Sequence, residues 1–190
     1  MNKTNNPKSN GQVSEFDINA LNLIRNNVKN FMKSSAAKYD KKDLQLLDIA
    51  PQIHEGAKAH FNLANISTLD IDPSSNATII ADLCCNNDKL IKNESFDIVV
   101  CTEVLEHTLN PFKAMAEILR MLKPNGIALI STPFNFRIHG PLPDCWRFSI
   151  HGLRSLFADF EEINISALET NDRFLMPIHY TSIIKKNKDF

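Results

Sequence analysis

Glycine is scarce in this chain, and its scarcity argues against one large class of nucleotide-binding protein. Only five of the 190 residues are glycine, and no G-x-G occurs anywhere in the sequence. A dinucleotide-binding turn uses G-x-G-x-x-G so that the backbone can approach a pyrophosphate closely. The sequence therefore disfavours a nicotinamide-dependent oxidoreductase.

Long apolar runs and an excess of positive charge are also missing. No stretch of about 18 apolar residues is present to span a bilayer, and the first residues lack the apolar core of a signal peptide. The formal net charge of -1 gives no general attraction to phosphate backbones. We therefore predict a cytoplasmic protein with no membrane span and no nucleic-acid partner. Nothing in the sequence indicates its oligomeric state.

The four cysteines lack the spacing of a zinc site or a disulfide framework. Cys84 and Cys85 are adjacent, Cys101 and Cys145 are isolated, and no C-x-x-C is present. We interpret them as reduced, mostly buried thiols, and Cys145 as a packing residue. The sequence predicts no metal site.

The chain is predicted to form one domain behind a flexible tail. Residues 1–14 are rich in Asn, Lys and Ser and lack the apolar groups that would repay the entropy of ordering. Residues 15–190 have the composition of a single globular domain. Leu21, Ile24, Val28 and Phe31 recur at helical spacing and predict a first helix over 16–38.

Short apolar runs then alternate with amphipathic segments. The runs at 44–50, 67–71, 78–81, 96–102 and 127–132 have strand length, and several are apolar on consecutive residues, as strands covered on both faces must be. Two later strands are predicted at 162–167 and 178–184. The alternation predicts a doubly wound, mostly parallel, seven-stranded α/β sheet in a Rossmann-like α/β/α sandwich.

Two helices are marked between the later strands. In the first, Asn110 can cap the helix and Pro111 suits its first turn. Its predicted inner face comprises Phe112, Met115, Ile118, Leu119 and Leu122. A second helix is predicted over 150–157.

Carboxylates follow three successive predicted strands. Asp48 ends the first strand, Asp70 and Asp72 the second, and Asp82 the third. Ligands bind beyond the carboxyl ends of such strands, and Asp70 follows Ala50 by about 20 residues, the separation at which an acidic side chain can bind a ribose. The alternative is that each Asp caps the segment that follows it.

Five segments carry a resemblance to a known family. They are "LLDIAP", "STLDID", "IIADL", "SFDIVVCTEVLEHTLNPFKAMAEILRMLKPNGIALISTP" and "IHGPLPDCWRFSIHGL". Together they resemble the class I S-adenosylmethionine-dependent methyltransferases, in particular the type 11 domain, and they cover about 44–160. The central segment is the most specific.

The resemblance implies a binding site for S-adenosylmethionine, whose product is S-adenosylhomocysteine. It implies that Asp48 begins the loop that holds the methionine moiety, that Asp70 binds the ribose, that Asp82 and Leu83 flank the adenine, and that Thr102 and Glu103 lie near the sulfonium. The remaining implied donor-binding residues are Ala50, Pro51 and Ile71. The family usually has two or three glycines after the first strand, where this chain has Ala50, Pro51 and Gln52. A dinucleotide has a pyrophosphate that needs backbone N–H donors, and Pro51 has no N–H. S-adenosylmethionine has no phosphate, so this change disfavours it less than it disfavours a dinucleotide.

Methyl transfer needs an acceptor atom aligned with the methyl group, and an oxygen acceptor also needs to lose a proton. His139, in the loop after the fifth strand, is the first candidate base. His107 is the second, with the alternative that it fixes the loop after the fourth strand. The other histidines are predicted to be surface or packing residues: His54, His60, His151 and His179.

The Pro-rich connection at 135–148 is too long for a simple turn, and ordered loops of this kind are often functional. Its predicted substrate-binding residues are Asn135, Arg137, Asp144, Trp146 and Arg147. The alternative is a structural loop in which Asp144 pairs with Arg147 and Trp146 covers the edge of the sheet.

We therefore predict a methyltransferase that acts on a small polar acceptor, with a saccharide hydroxyl as the finer hypothesis. The saccharide hypothesis comes from the resemblance of the H-G-P-x-P-D-x-W-R-F block to methyltransferases found with sugar-modifying enzymes. The competing interpretation is a non-catalytic relative that keeps the fold as a binding or scaffold module.

Overall fold

The computed structural model describes residues 13–51 and 56–188. The predicted tail at 1–14 lies outside the described residues except for Val13 and Ser14, and His54 also lies outside them. Among the helices described, none is long and apolar enough to cross a membrane.

One seven-stranded sheet organises the described residues. Its strands are β1 (Gln45–Ile49), β2 (Asn65–Asp70), β3 (Ile79–Ile80), β4 (Phe96–Thr102), β5 (Leu122–Pro133), β6 (Glu161–Leu168) and β7 (His179–Lys185). Their order across the sheet is β3-β2-β1-β4-β5-β7-β6. The first five strands are parallel, whereas β7 runs antiparallel between β5 and β6. The predicted doubly wound, mostly parallel sheet is confirmed.

Within 13–51 and 56–188, three α-helices and two short 3-10 helices accompany this sheet. The helices are α1 (Glu15–Tyr39), α2 (Pro111–Met121) and α3 (Ile150–Leu156), and the 3-10 helices are Gly56–Ala59 and Leu105–His107. Each α-helix begins after a side-chain cap: Ser14 accepts from the N–H of Asp17, Asn110 from that of Lys113, and Ser149 from that of Gly152.

The sheet is buried on both faces, which makes the fold an α/β/α sandwich. Leu46 points to a core with Met32 and Ala36 of α1. Leu47, the next residue, points to the opposite core with residues of α2 and α3. Alternate residues of a strand face opposite sides, so a continuous apolar run is what a strand covered on both sides requires.

The predicted inner face of α2 is partly wrong. The side chain of Phe112 is 61% exposed, whereas Ala114 and Met121 are buried. The helix ends at Met121, and Leu122 is already the first residue of β5. Asn125, in the left-handed region with φ of 64°, then lies within the strand's bounds.

We expect Leu129→Ala to lower the free energy of unfolding by about 2–5 kcal/mol, because it leaves a cavity between the sheet and α1. Urea unfolding measures the loss. Leu90→Ala is the matched control, because Leu90 is exposed and its truncation should change stability by less than about 0.5 kcal/mol. Equal losses in the two variants would contradict the assignment of this core.

Candidate active site

A cleft of about 880 Å³ opens where the parallel strands end. It lies beside the reversal of strand order between β1 and β4, the place at which open α/β sheets bind ligands. Seven of the nine predicted donor-binding residues line it: Ala50, Pro51, Asp70, Ile71, Asp82, Leu83 and Glu103. The other two, Asp48 in β1 and Thr102 in β4, are not part of its lining.

Two tight turns shape the cleft. Ala50 follows β1 with φ of 49°, and Glu103 follows β4 with φ of 55°. For a residue other than glycine the left-handed conformation costs about 1–2 kcal/mol, and it concentrates where a site requires it. The N–H of Ala50 donates to the carbonyl of Leu69, and the N–H of Glu103 to that of Ser131. Each of the two turns is therefore fixed by a hydrogen bond to the neighbouring strand where the backbone leaves the sheet.

Asp48 supports the first turn from below. It is buried, and its Oδ2 accepts a hydrogen bond of 2.7 Å from the N–H of Ala57. Gly56 makes this contact possible, because a Cβ at this position would collide with the Asp48 carboxylate. Burial raises the pKa of Asp48 to about 6, although the bond from Ala57 and the charge of Lys58 oppose the shift. The side chain thus fixes the 3-10 helix at Gly56–Ala59 and does not line the cleft.

Asp70 and Asp82 each bind the backbone of the turn that follows. Asp70 Oδ1 accepts from the N–H of Asp72 at 2.9 Å, and Asp82 Oδ1 accepts from the N–H of Cys84 at 2.8 Å. One oxygen of each carboxylate therefore caps the segment that follows, as the capping alternative predicts. Because both residues also line the cleft, the cap and a ligand contact are compatible.

Glu103 is held from behind by a buried chain of hydrogen bonds. Its Oε1 accepts from Ser131 Oγ at 2.7 Å and from His179 Nε2 at 2.6 Å. The amide of Asn27 donates to His179 Nδ1 at 2.8 Å, which leaves the proton of the neutral ring on Nε2. No site role was predicted from the sequence for Ser131, His179 or Asn27.

His179 is fully buried, as the packing alternative predicts, and it also contacts Glu103 from behind the cleft, a role that the prediction did not include. Its register explains the position: His179 pairs with Pro133 at the carboxyl end of β5. The sequence offered one signal for this position, a polar residue at the start of the last strand. That signal does not indicate a place near the cleft unless the strand order is known.

His107 and His139 lie together at one end of the site. His107 lines the cleft, but His139 does not, and their ring centroids are 4.9 Å apart. Glu106 lies against both rings and is completely buried. Burial and the nearby charge of Glu103 raise the pKa of Glu106 well above its usual value, whereas burial lowers the pKa of His139.

The connection at 135–148 uses its charges internally. Arg147 forms a two-pronged ion pair with Asp144, with distances of 2.6 and 2.7 Å, and also donates to the carbonyls of Phe136 and Arg137. Burial would raise the pKa of Asp144, but the hydrogen bonds from Arg147 and from the N–H of His139 outweigh it and lower the pKa to about 2. The structural alternative thus describes the pairing of Asp144 with Arg147.

Trp146 does not cover the edge of the sheet in the way that alternative assumed. Its Nε1 donates to the carbonyl of Thr108 at 2.8 Å, and its ring stacks on Phe148. The N–H groups of Cys145 and Trp146 bind the carbonyl of Glu106, which docks the loop on the 3-10 helix.

The substrate-binding residues predicted in this loop do not line the cleft. The contacts of Asp144, Trp146 and Arg147 are given above. Asn135 lies beside the guanidinium of Arg173, and Arg137 Nη1 lies 3.9 Å from Asp17 Oδ2. The loop instead contributes three apolar residues to the cleft: Pro141, Leu142 and Pro143. Their position could not be read from a pattern of charged residues.

Known proteins are similar to a large part of this chain. A family model described as "Methyltransferase domain" matches residues 21–164. The ubiquinone biosynthesis O-methyltransferase of Rickettsia canadensis is 36% identical over 69 residues, which are 36% of this chain and 29% of that protein. The protein of the same name from Rickettsia typhi is 32% identical over 108 residues, covering 49% and 42% of the two chains. The chain thus matches less than half the length of these relatives.

Solved structures show the same fold at low identity. A SAM-dependent methyltransferase from Methanosarcina mazei superposes with a TM-score of 0.60 at 16% identity, covering 80% of this chain and 96% of that one. An S-adenosylmethionine-dependent methyltransferase from Mesorhizobium loti gives 0.61 at 11%, covering 80% and 94%.

We expect Asp48→Asn to stabilise the protein at pH 7.5 and to change little at pH 4. The raised pKa means that folding favours the neutral carboxyl, so this stability is complete below about pH 4 and is lost as pH rises through about 6. At pH 7.5 the variant avoids a cost on the order of 2–3 kcal/mol. Urea unfolding at both pH values measures the gain, with the exposed Asp159→Asn as control. A gain that is the same at both pH values would contradict the buried charge as its cause.

Proposed function

The chain belongs to the S-adenosylmethionine-dependent methyltransferase family, and from that membership we propose that it transfers the methyl group of this donor to an oxygen of a small acceptor. The observation that carries the proposal is the cleft at the reversal of strand order, with Asp70 and Asp82 at one part of its wall and Glu103 with His107 at another.

The residues of the cleft suit this donor better than a dinucleotide. Pro51 has no N–H to offer a phosphate, and the N–H of Ala57 is already bound to Asp48. Ile71 lines the cleft with 66% of its surface exposed, so an adenosine moiety could cover an apolar side chain that now faces water. When bound, S-adenosylmethionine supplies a methyl group on a positively charged sulfur.

Each wall of the cleft has a proposed task. Asp70 accepts hydrogen bonds from the ribose hydroxyls, and Asp82 with Leu83 flanks the adenine. Glu103, held by Ser131 and His179, supplies negative charge near the sulfonium. Because its carboxylate is fixed before the donor arrives, little reorganisation is needed on binding.

The acceptor end of the cleft is mostly apolar. Besides Glu103, its polar lining residues are His107 and Thr108, and its apolar ones are Val104, Leu109, Pro141, Leu142 and Pro143. This lining favours a hydroxyl on a largely apolar framework. The names of the Rickettsia relatives, which specify O-methyl transfer, support oxygen as the accepting atom. The saccharide hypothesis gains no support from this lining, because a sugar ring needs more hydrogen-bonding partners.

Of the two candidate bases, His107 lines the cleft and keeps the proposed role in removing the acceptor's proton, whereas His139 does not line it. His107 Nδ1 lies 2.9 Å from the carbonyl oxygen of Pro143, so its Nε2 is the nitrogen that can accept a proton. His139 packs behind it and does not reach the cleft itself. Alignment of the acceptor with the methyl group supplies the larger effect, up to about 7–11 kcal/mol.

We expect Asp70→Ala to weaken binding of S-adenosylmethionine and S-adenosylhomocysteine at least tenfold, because the ribose loses its carboxylate. Isothermal titration calorimetry measures both affinities. Asp70→Asn keeps an oxygen for the N–H of Asp72 and checks that the turn survives, while Asp159→Ala is an exposed control. Unchanged affinity in Asp70→Ala would refute the proposed ribose site.

We expect the protein to transfer the labelled methyl group of S-adenosylmethionine to small phenols in preference to free monosaccharides, because the acceptor end of the cleft is mostly apolar. Transfer of label, followed by chromatography of the products, measures the preference. A preference for monosaccharides would favour the saccharide hypothesis. Failure of the folded protein to bind either the donor or its demethylated product would favour the non-catalytic scaffold.

A further inference from the structure

Glu106 presents an unusual electrostatic arrangement. Its side chain is 0% exposed, and neither carboxylate oxygen has a hydrogen-bond partner among the described residues. A buried polar group of this kind costs free energy unless something pairs with it. The groups that face it are two imidazole nitrogens: His107 Nε2 lies 3.8 Å from Glu106 Oε1, and His139 Nε2 lies 4.0 Å from the same oxygen.

The surroundings of both rings direct their lone pairs toward Glu106. His107 Nδ1 must donate to the carbonyl of Pro143, because a carbonyl only accepts, and its neutral ring then carries a lone pair on Nε2. His139 Nδ1 lies 3.0 Å from Asp144 Oδ2, outside the angular range of a hydrogen bond but close enough to favour the proton on that nitrogen. Two imidazole lone pairs and one buried carboxyl group therefore converge at distances too long for hydrogen bonds between them.

This arrangement is that of an open metal site. The ligand atoms of the three residues all lie within 4.8 Å of one another. Metal–ligand distances of about 2.0–2.2 Å in a tetrahedral zinc site separate neighbouring ligands by about 3.4 Å, so modest side-chain movements would close the cluster on an ion. A carbonyl or carboxylate on the second nitrogen of each ligating histidine is also the usual outer support of such sites.

We propose that Glu106, His107 and His139 bind a divalent transition-metal cation of the zinc class, with its open coordination position facing the cleft. Two imidazoles and one carboxylate suit zinc or a similar ion, whereas magnesium and calcium favour sets of oxygen ligands. The cation neutralises Glu106 and fills the space between the three donors.

The use of this cation rests on the proposed function. His107 and Pro143 line the acceptor end of the cleft, so a hydroxyl bound there could coordinate the ion. Coordination lowers the pKa of a bound hydroxyl, as it does for water. With the ion bound, the imidazoles would act as ligands in place of the base role proposed above for His107, and the acceptor oxygen would lose its proton to solvent.

Binding of Zn²⁺ to chelator-treated, full-length protein tests the proposal directly. We expect calorimetry to give one saturable site per chain, and His139→Ala and His107→Ala to weaken it at least tenfold. His151→Ala is the matched control, because His151 is exposed and outside the cluster, and its affinity should equal that of the unaltered protein. Co²⁺ should give the visible absorption of a low-coordinate nitrogen and oxygen site in the unaltered chain and lose it in His139→Ala.

Absence of saturable Zn²⁺ binding to the folded protein, tighter binding of Mg²⁺, or equal Zn²⁺ affinity in His139→Ala and His151→Ala would each overturn the site. Thermal melting guards against misfolding: Zn²⁺ should raise the Tm of the unaltered protein but not that of His139→Ala. Titration with S-adenosylhomocysteine separates the two proposals. If the protein binds S-adenosylhomocysteine but does not bind Zn²⁺, the metal site alone is refuted. If it binds Zn²⁺ but does not bind S-adenosylhomocysteine, the proposed function alone is refuted.

Discussion

The parallel pairing of β1 with β4 is the constraint on which the rest of this molecule depends. Leu46 pairs with Ile98 and Asp48 with Val100, so both strands end at the same edge of the sheet. From this pair the strand order runs outward in opposite directions, and the connections after the two strands must separate. The cleft is the space left by that separation. The left-handed turns at Ala50 and Glu103 are the local cost of leaving the sheet so abruptly.

The predictability of each element follows the range of the interactions that define it. The strand at 96–102 was predicted with its observed bounds, because an apolar run between polar residues is a local signal. The cap and first turn of α2 were equally local. Phe112 was assigned to the wrong face because helical spacing alone does not tell where the sheet lies. Most of the predicted donor residues line the cleft, since position at a strand end follows from the sheet.

The acceptor side resisted prediction because it is built from long-range contacts. Composition does not reveal whether Asp144 and Arg147 serve a ligand or each other, and in the structure they bind each other. Their pairing holds a loop whose apolar residues, Pro141 to Pro143, form the wall. Likewise His139 meets Glu106 only after this loop docks on the 3-10 helix. No spacing rule joins these two residues along the chain.

The alanine at position 50 bears on how such chains are found. Its φ of 49° lies in the region that glycine adopts without strain, and the resemblance places glycines in this part of the chain. Alanine adopts the same backbone with only one added carbon, and the hydrogen bond from its N–H to the carbonyl of Leu69 in β2 holds it there. Searches that require glycines at the first turn will overlook chains of this kind. A criterion built on strand order, with an acid at the end of each early strand, would recover them.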